Sequence, residues 1–256
     1  PLNGVLKGVA PDAKIYAYRV CSAAGSCPGD AIAAAIEASM DPDNTGDFDN
    51  PLDVINLSLG GPGDPESTYS KDYIDAAIEV GVTVAASAGN SGPDGLESCW
   101  HEDYYDGTSH SICCPSCVEG TISVAASTSD GTLWWWDEDN DPNVPGVDGI
   151  AGFSSRGPTW PGEYTNTKLE KPDITAPGVN ICAARASFNP YQGSECIDNQ
   201  HASISGTSMA GPHIAGVAAL AKQMNPSLTP QEIKEALMST SVDIGYDYDG
   251  GTWTKR

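Results

Sequence analysis

DVINLSLGGPGDPESTYSKDYIDAAIEVGVTVAASA, residues 53 to 88, decides the fold. Asp53 to Leu59 reads as a strand of the buried type. Ser70 to Val80 places its apolar residues at helical spacing, and Gly81 follows as a suitable helix stop. Val82 to Ala88 is a second apolar strand. Strand, helix and strand at this spacing predict a parallel pair joined by a crossover helix. The pattern continues outward. Ala13 to Val20 (AKIYAYRV) alternates as a strand does, Asp30 reads as the N-cap of a helix running to Met40, and Thr121 to Ala126 (TISVAA) is a further strand. In open parallel sheets, ligand-binding groups collect just past the carboxyl ends of strands. Two segments fall there: Ser58-Leu59-Gly60-Gly61 and Gly89-Asn90-Ser91-Gly92.

The chain has 256 residues, 39% of them hydrophobic and only 18% charged, enough to bury the core of one large α/β domain or two small ones. With 12 Lys and Arg against 35 Asp and Glu the formal net charge is −23. Such a surface repels phosphate backbones and anionic lipid, which excludes nucleic-acid binding and suits cations, basic peptides or a high-salt medium. No apolar run reaches the roughly 18 residues a membrane span requires, and the apolar segments exclude a disordered chain. Eight cysteines point to an oxidising compartment and disulfides, with Cys21/Cys27 and Cys182/Cys196 as sequence-local pairs and the other pairings open. Pro1-Leu2-Asn3-Gly4-Val5 is neither a signal peptide nor an initiator start, and reads as a cut inside a longer protein.

Polar or unusual segments separate these elements. Asp41, Asp43, Thr45, Gly46, Asp47 and Asp49 have the look of a calcium loop, but Leu52 stands where the twelfth-position Glu belongs. Asp137, Asp139 and Asp141 form a second acidic cluster; solvated loops are the plain alternative for both. Cys114-x-x-Cys117, with Cys99 and His101 nearby, admits a structural zinc knuckle, against which the even cysteine count favours disulfides. Trp134-Trp135-Trp136 reads as a hydrophobic plug rather than a binding platform.

Near the end, Gly206-Thr207-Ser208 leads into a small-residue helix from Met209 to Met224, with Pro212 expected in its first turn. A second helix, from about Thr229 to Ser239, opens with Thr-Pro-Gln-Glu, a capping pattern. A serine before a buried helix is most simply an N-cap. The same position also suits a nucleophile, because free N–H groups at a helix start can hold a developing oxyanion. The turn alone leaves both readings open.

The wider sequence resembles the subtilisin-like serine proteases, the subtilase family. The resemblance is carried by Gly206-Thr207-Ser208-Met209-Ala210-Gly211-Pro212-His213, Ala86-Ser87-Ala88-Gly89-Asn90-Ser91-Gly92 and Ile55-Asn56-Leu57-Ser58-Leu59-Gly60-Gly61-Pro62. Gly8-Val9-Ala10-Pro11 and Lys171-Pro172-Asp173-Ile174-Thr175-Ala176-Pro177-Gly178 fit as well. Gly211, where Ser, Thr or Ala is commoner, is a mild departure. The resemblance implies a three-layer α/β sandwich with a mostly parallel central sheet and helices on both faces, formed by residues 1–256 as a single catalytic domain that is expected to be incomplete at its N-terminus and its C-terminus. It implies Ser208 as the nucleophile of an acyl-enzyme mechanism and Asn90 as the oxyanion-hole donor with the backbone N–H of Ser208. Ser58, Leu59 and Gly60 would pair with an extended peptide substrate. Ser87, Ala88 and Gly89 would wall the pocket for the residue before the scissile bond, where small side chains leave room for a large apolar residue. The family's frequent use of calcium adds Ca²⁺ as an expected ion; no organic cofactor is implied.

The family's Asp-Thr-Gly (or Asp-Ser-Gly) and His-Gly-Thr-His motifs, which precede the Gly-Val-Ala-Pro segment, do not occur here. The expectation is therefore the C-terminal part of a secreted serine endopeptidase, inactive by itself. The alternative is a non-catalytic binding module on the same scaffold, stabilised by disulfides or metal. None of the four histidines replaces the missing base: His213 lies inside the helix, His201 in a strand-like stretch, and His101 and His110 in the cysteine-rich segment.

Overall fold

The computed structural model describes residues 7–92, 99, 111–128, 149–159, 168–185, 193–242, 246–249 and 252–255. Four strands, β1 (Val54–Leu57), β2 (Thr83–Ser87), β3 (Ile122–Ser127) and β4 (Ile174–Pro177), form one parallel sheet in the order in which they occur in the chain. Helix α1 (Gly29–Met40) precedes β1, and α2 (Lys71–Glu79) forms the crossover from β1 to β2. The helices α3 (Thr207–Met224) and α4 (Pro230–Thr240) close the core after β4.

Alternation along β2 shows why the sheet is covered twice. Val84, Ala86 and Ala88 join Ile36 and Met40 of α1, Ile74 and Ala77 of α2, and Ile55 and Leu57 of β1 in one apolar cluster. Ala85 faces the other way, into a second cluster with Ile122, Val124 and Ala126 of β3, Ala176 of β4, and Ala210 and Ile214 of α3. Successive strand residues point to opposite faces, so a strand buried along its whole length separates two apolar layers. The result is the expected three-layer sandwich, with α3 packed across all four strands. Small residues allow that approach. A methyl on Gly211 would stand 3.2 Å from the Asn56 side-chain oxygen on β1, and one on Gly216 would stand 2.8 Å from Val9.

Beyond the main sheet, β5 (Ile181–Ala184), β6 (Ser194–Glu195) and β7 (His201–Ile204) form an antiparallel sheet in the order β5-β7-β6, and β8 (Tyr246–Asp249) pairs with β9 (Thr252–Lys255). Disulfides Cys21–Cys27 and Cys182–Cys196 form as expected, and the open pairings resolve as Cys99–Cys113 and Cys114–Cys117.

At the start of β3 lies a buried ionic cluster. The Lys171 ammonium donates to Thr121 O and Asp173 Oδ2, both at 2.6 Å, and Lys234 of α4 reaches Glu119 O at 2.7 Å and Asp173 Oδ1 at 3.0 Å. Desolvation pulls the Lys171 pKa down to about 8 against the attraction of Asp173.

Three local expectations change. Ala13–Val20 pairs with no strand among the described residues, and Ile15 is 89% exposed; alternation supplies a face, but a strand also needs a partner ladder. Asp30 sits in the first turn of α1 rather than at its N-cap, which is Pro28. Pro212 falls in the second turn of α3, because that helix begins at Thr207.

Candidate active site

The carboxyl ends of β1 and β2 and the first turn of α3 converge. Gly206 is the N-cap of α3 and supplies no side chain, so Ser208 is a helical residue and not a cap. Gly206 has φ +158°, a conformation that side-chain-bearing residues rarely adopt, and a methyl there would point at the Asn90 amide, 3.6–3.7 Å away. The cap comes from 117 positions away. Asn90 Oδ1 accepts from the Thr207 amide at 2.9 Å and from the Thr207 hydroxyl at 3.0 Å, and that hydroxyl accepts from the Gly89 amide at 3.2 Å. With its oxygen committed to two donors, the Asn90 amide directs its NH₂ away from Thr207. No acceptor meets it among the described residues. Asn90 itself is exposed, on the solvent side of a buried strand end.

Pro212 has a second consequence. Lacking an N–H, it cannot bond to the carbonyl of Ser208 four residues earlier. Ser58, just past β1, donates its hydroxyl to that carbonyl at 2.8 Å. Asn56 Nδ2 in turn donates to the Ser58 hydroxyl at 3.1 Å. The Ser208 hydroxyl, half-buried, lies 3.4 Å from Ser58 O, a long contact that leaves it able to turn elsewhere. Neither described histidine contacts it. His213 Nδ1 meets the Met209 carbonyl within its own helix at 2.8 Å, and His201 Nδ1 meets Asp198 Oδ1 at 2.5 Å. His101 and His110 lie outside the described residues.

Leu59 and Gly60 line a cavity of about 460 Å³ together with Gly29, Ile32, Tyr69 and Cys114. Ser87, Ala88 and Gly89 are buried, and Ser87 Oγ reaches Leu57 O at 3.4 Å, tying the two walls together. The space between the walls is not left open as their small side chains suggest. Cys113 occupies it: a methyl on Gly60 would stand 2.8 Å from Cys113 Cβ, and one on Gly89 would stand 2.5 Å from Cys113 Sγ.

The metal expectations fare differently. Both oxygens of Asp41 are taken by its own loop, one by the Thr45 amide and the other by Gly46, each at 2.9 Å; these bonds, Gly46 foremost, hold its carboxyl below the usual range. No group of three or more His, Cys, Asp or Glu suited to a metal occurs among the described residues. Cys114 and Cys117 are joined to each other, which removes the thiolates a zinc knuckle requires. Asp137, Asp139, Asp141 and the three tryptophans lie outside the described residues.

Sequence reasoning missed the roles of Thr207, Ser58 and Cys113. Pro212, four residues after Ser208, was the available signal for an orphaned carbonyl; nothing local marked Cys113.

The helix start that carries Ser208 is held by a distant asparagine. Residues 1–252 match the model of the subtilase family. The chain belongs to the subtilase family. It is 36% identical to the serine protease AprX of Bacillus subtilis (strain 168) over 96% of this chain and 50% of that protein. It is 33% identical to subtilisin DY of Bacillus licheniformis over 95% of this chain and 66% of that one. Among solved structures it resembles sphericase, with TM-score 0.65 and 30% identity over 99% of this chain and 72% of that one. An S41 psychrophilic protease matches with TM-score 0.63 and 32% identity over 90% and 60%. The chain thus spans half to two thirds of the length of the relatives AprX and subtilisin DY. Among the described residues, no helix is long and apolar enough to cross a membrane.

Proposed function

We propose that this subtilase chain carries the nucleophile and oxyanion hole of a serine endopeptidase acting on extended polypeptides. The observation that carries the reading is the pair of hydrogen bonds that Thr207 donates to Asn90 Oδ1, which ties the Asn90 side chain to the start of α3, one residue before Ser208, and commits its oxygen rather than its NH₂. A peptide carbonyl placed there meets that NH₂ and the Ser208 N–H, two donors aimed where negative charge develops.

Ser208 Oγ attacks the carbonyl carbon as its proton passes to a base. The tetrahedral oxyanion rests on Asn90 and the Ser208 N–H, and its collapse expels the amine, which takes up that proton. Water then cleaves the acyl-enzyme by the same steps. His201 and His213 are engaged elsewhere, so neither described histidine serves as the base; in this reading the base and its carboxylate partner are supplied by the Asp-Thr-Gly and His-Gly-Thr-His segments that residues 1–256 lack. Ser58, Leu59 and Gly60 bind the substrate backbone by strand addition, and the hollow beside Leu59 receives a side chain further back along it. Four disulfides among eight cysteines support an oxidising, extracellular setting.

The test is labelling of the full-length gene product by a fluorophosphonate. Modification at Ser208, lost in Ser208→Ala, is expected. No modification at all would leave a non-catalytic binding module.

A further inference from the structure

The segment Cys113-Cys114 spans the gap between the two cleft walls. The Cys113 amide donates to Ala88 O at 2.8 Å, and Cys114 exchanges two backbone hydrogen bonds with Gly61, at 3.0 and 2.9 Å. The Cys113 side chain is therefore fixed between Ser58-Leu59-Gly60 on one side and Ser87-Ala88-Gly89 on the other. Its closeness to both glycines shows this directly. Its Cβ is what a methyl on Gly60 would strike, and its Sγ is what a methyl on Gly89 would strike, with Ser155 Oγ 2.6 Å from the same point. Cys113 is bonded to Cys99, and the two are 4% and 7% exposed. A buried disulfide cannot swing aside as a free side chain does, because both ends are anchored in the chain.

We infer that the Cys99–Cys113 disulfide is the floor of the pocket for the residue before the scissile bond, and that it selects a small residue there. This rests on Ser208 and Asn90 being the acyl-transfer site. Between walls made of serine, alanine and glycine, a residue the size of alanine or serine ends above the sulfur. A phenylalanine or leucine ring or branch needs the volume that Cys113 fills. Overpacking a rigid site is unfavourable, and a single methylene alters discrimination about 10–200-fold. The two walls and the floor hold no charged side chain, so size rather than charge sets the choice.

The test uses the full-length gene product and two peptide series, acetyl-Ala-Ala-Pro-Ala and acetyl-Ala-Ala-Pro-Phe. Each is measured as a cleavable p-nitroanilide for kcat/KM and as the free acid for binding by calorimetry. Alanine is expected to be preferred by about tenfold or more in both readouts. In the double variant Cys99→Ala/Cys113→Gly, phenylalanine gains at least about tenfold relative to alanine. A disulfide that only supports the fold would lower both peptides together and leave their ratio unmoved, which overturns the proposal. Preference for phenylalanine in the wild-type protein overturns it without any variant, so the proposal stays falsifiable even where the double variant misfolds. Fluorophosphonate labelling of Ser208 with the wrong peptide ratio sinks the small-residue pocket alone. Failure of both labelling and peptide binding sinks the active-site reading, and the pocket with it.

Discussion

Two helices in this chain begin in opposite ways. The start of α4 is capped from its own neighbourhood: the Thr229 hydroxyl accepts from the Glu232 amide at 3.2 Å, the Glu232 carboxylate accepts from the Thr229 amide at 2.8 Å, and Pro230 occupies the first turn without loss. The start of α3 has a glycine cap and a proline in its second turn, and its groups are met by Asn90, Gly89 and Ser58, each more than 100 positions distant. A helix that caps itself has used its free amides. A helix capped from afar can be positioned beside a second element, and the amides that the distant cap does not take stay available to a ligand. In this chain the helix start with the weak local signal and the strong long-range support is the one at the candidate site.

The sharpest way to break this contrast is in rate. Ser208→Ala in the full-length gene product is expected to lower kcat about 10⁶-fold, the magnitude seen when subtilisin itself loses its serine. Thr229→Ala is expected to leave kcat/KM unchanged, and equal losses from the two variants would erase the distinction.

Next in size, Asn90 separates its two duties. Asn90→Ala removes both the acceptor for Thr207 and the donor for substrate, whereas Asn90→Asp keeps the acceptor alone. Turnover should fall about 10²–10³-fold in either, as in subtilisin, where this effect was measured. Melting temperature should fall in Asn90→Ala but be largely kept in Asn90→Asp, since a carboxylate at a helix start is favourable. A full-activity Asn90→Asp protein would show that the NH₂ does nothing for substrate.

For α4 the expected effect is thermodynamic. Thr229→Ala should cost about 1 kcal/mol, a fall in melting temperature of about 2–4 °C for a chain of this size. Calorimetry with an unchanged transition would deny the capping box its role.

The docking of α4 also carries a pH signature. The folded Lys171 pKa, about 8, lies below its ordinary 10.5. The unfolded chain therefore binds more protons between those values, and stability should rise with pH across that window relative to Lys171→Met. A flat difference between the two proteins from pH 8 to 10.5 would count against the buried cation.

Smallest is the acid side of the α4 cap. The Thr229 amide, and then its hydroxyl, hold the exposed Glu232 carboxyl below the usual range. Its contribution is present above the ordinary glutamate pKa and is lost as pH falls through the folded value. Glu232→Gln should flatten that acid limb, measured by denaturant midpoint against pH; α3, which has no acidic residue in its first turn, has no such limb to lose.

The local code of the chain determined what neighbours in sequence can decide. The apolar runs Asp53–Leu59, Val82–Ala88 and Thr121–Ala126 became β1, β2 and β3 within a residue or two, and Thr-Pro-Gln-Glu capped α4, because periodicity and capping act over a few residues. The motifs around Asn90 and Ser208 named the site by resemblance. Ala13–Val20 shows the limit: its alternation was legible, but pairing depends on a partner strand, which the segment cannot carry in its own residues. Tertiary structure alone decided that Asn90 caps Thr207, that Ser58 satisfies the carbonyl orphaned by Pro212, and that Cys113 stands between Gly60 and Gly89. Each of these joins groups from separate elements at hydrogen-bond or van der Waals distance. Such contacts are fixed by how the sheet and α3 pack, and no spacing along the chain encodes them.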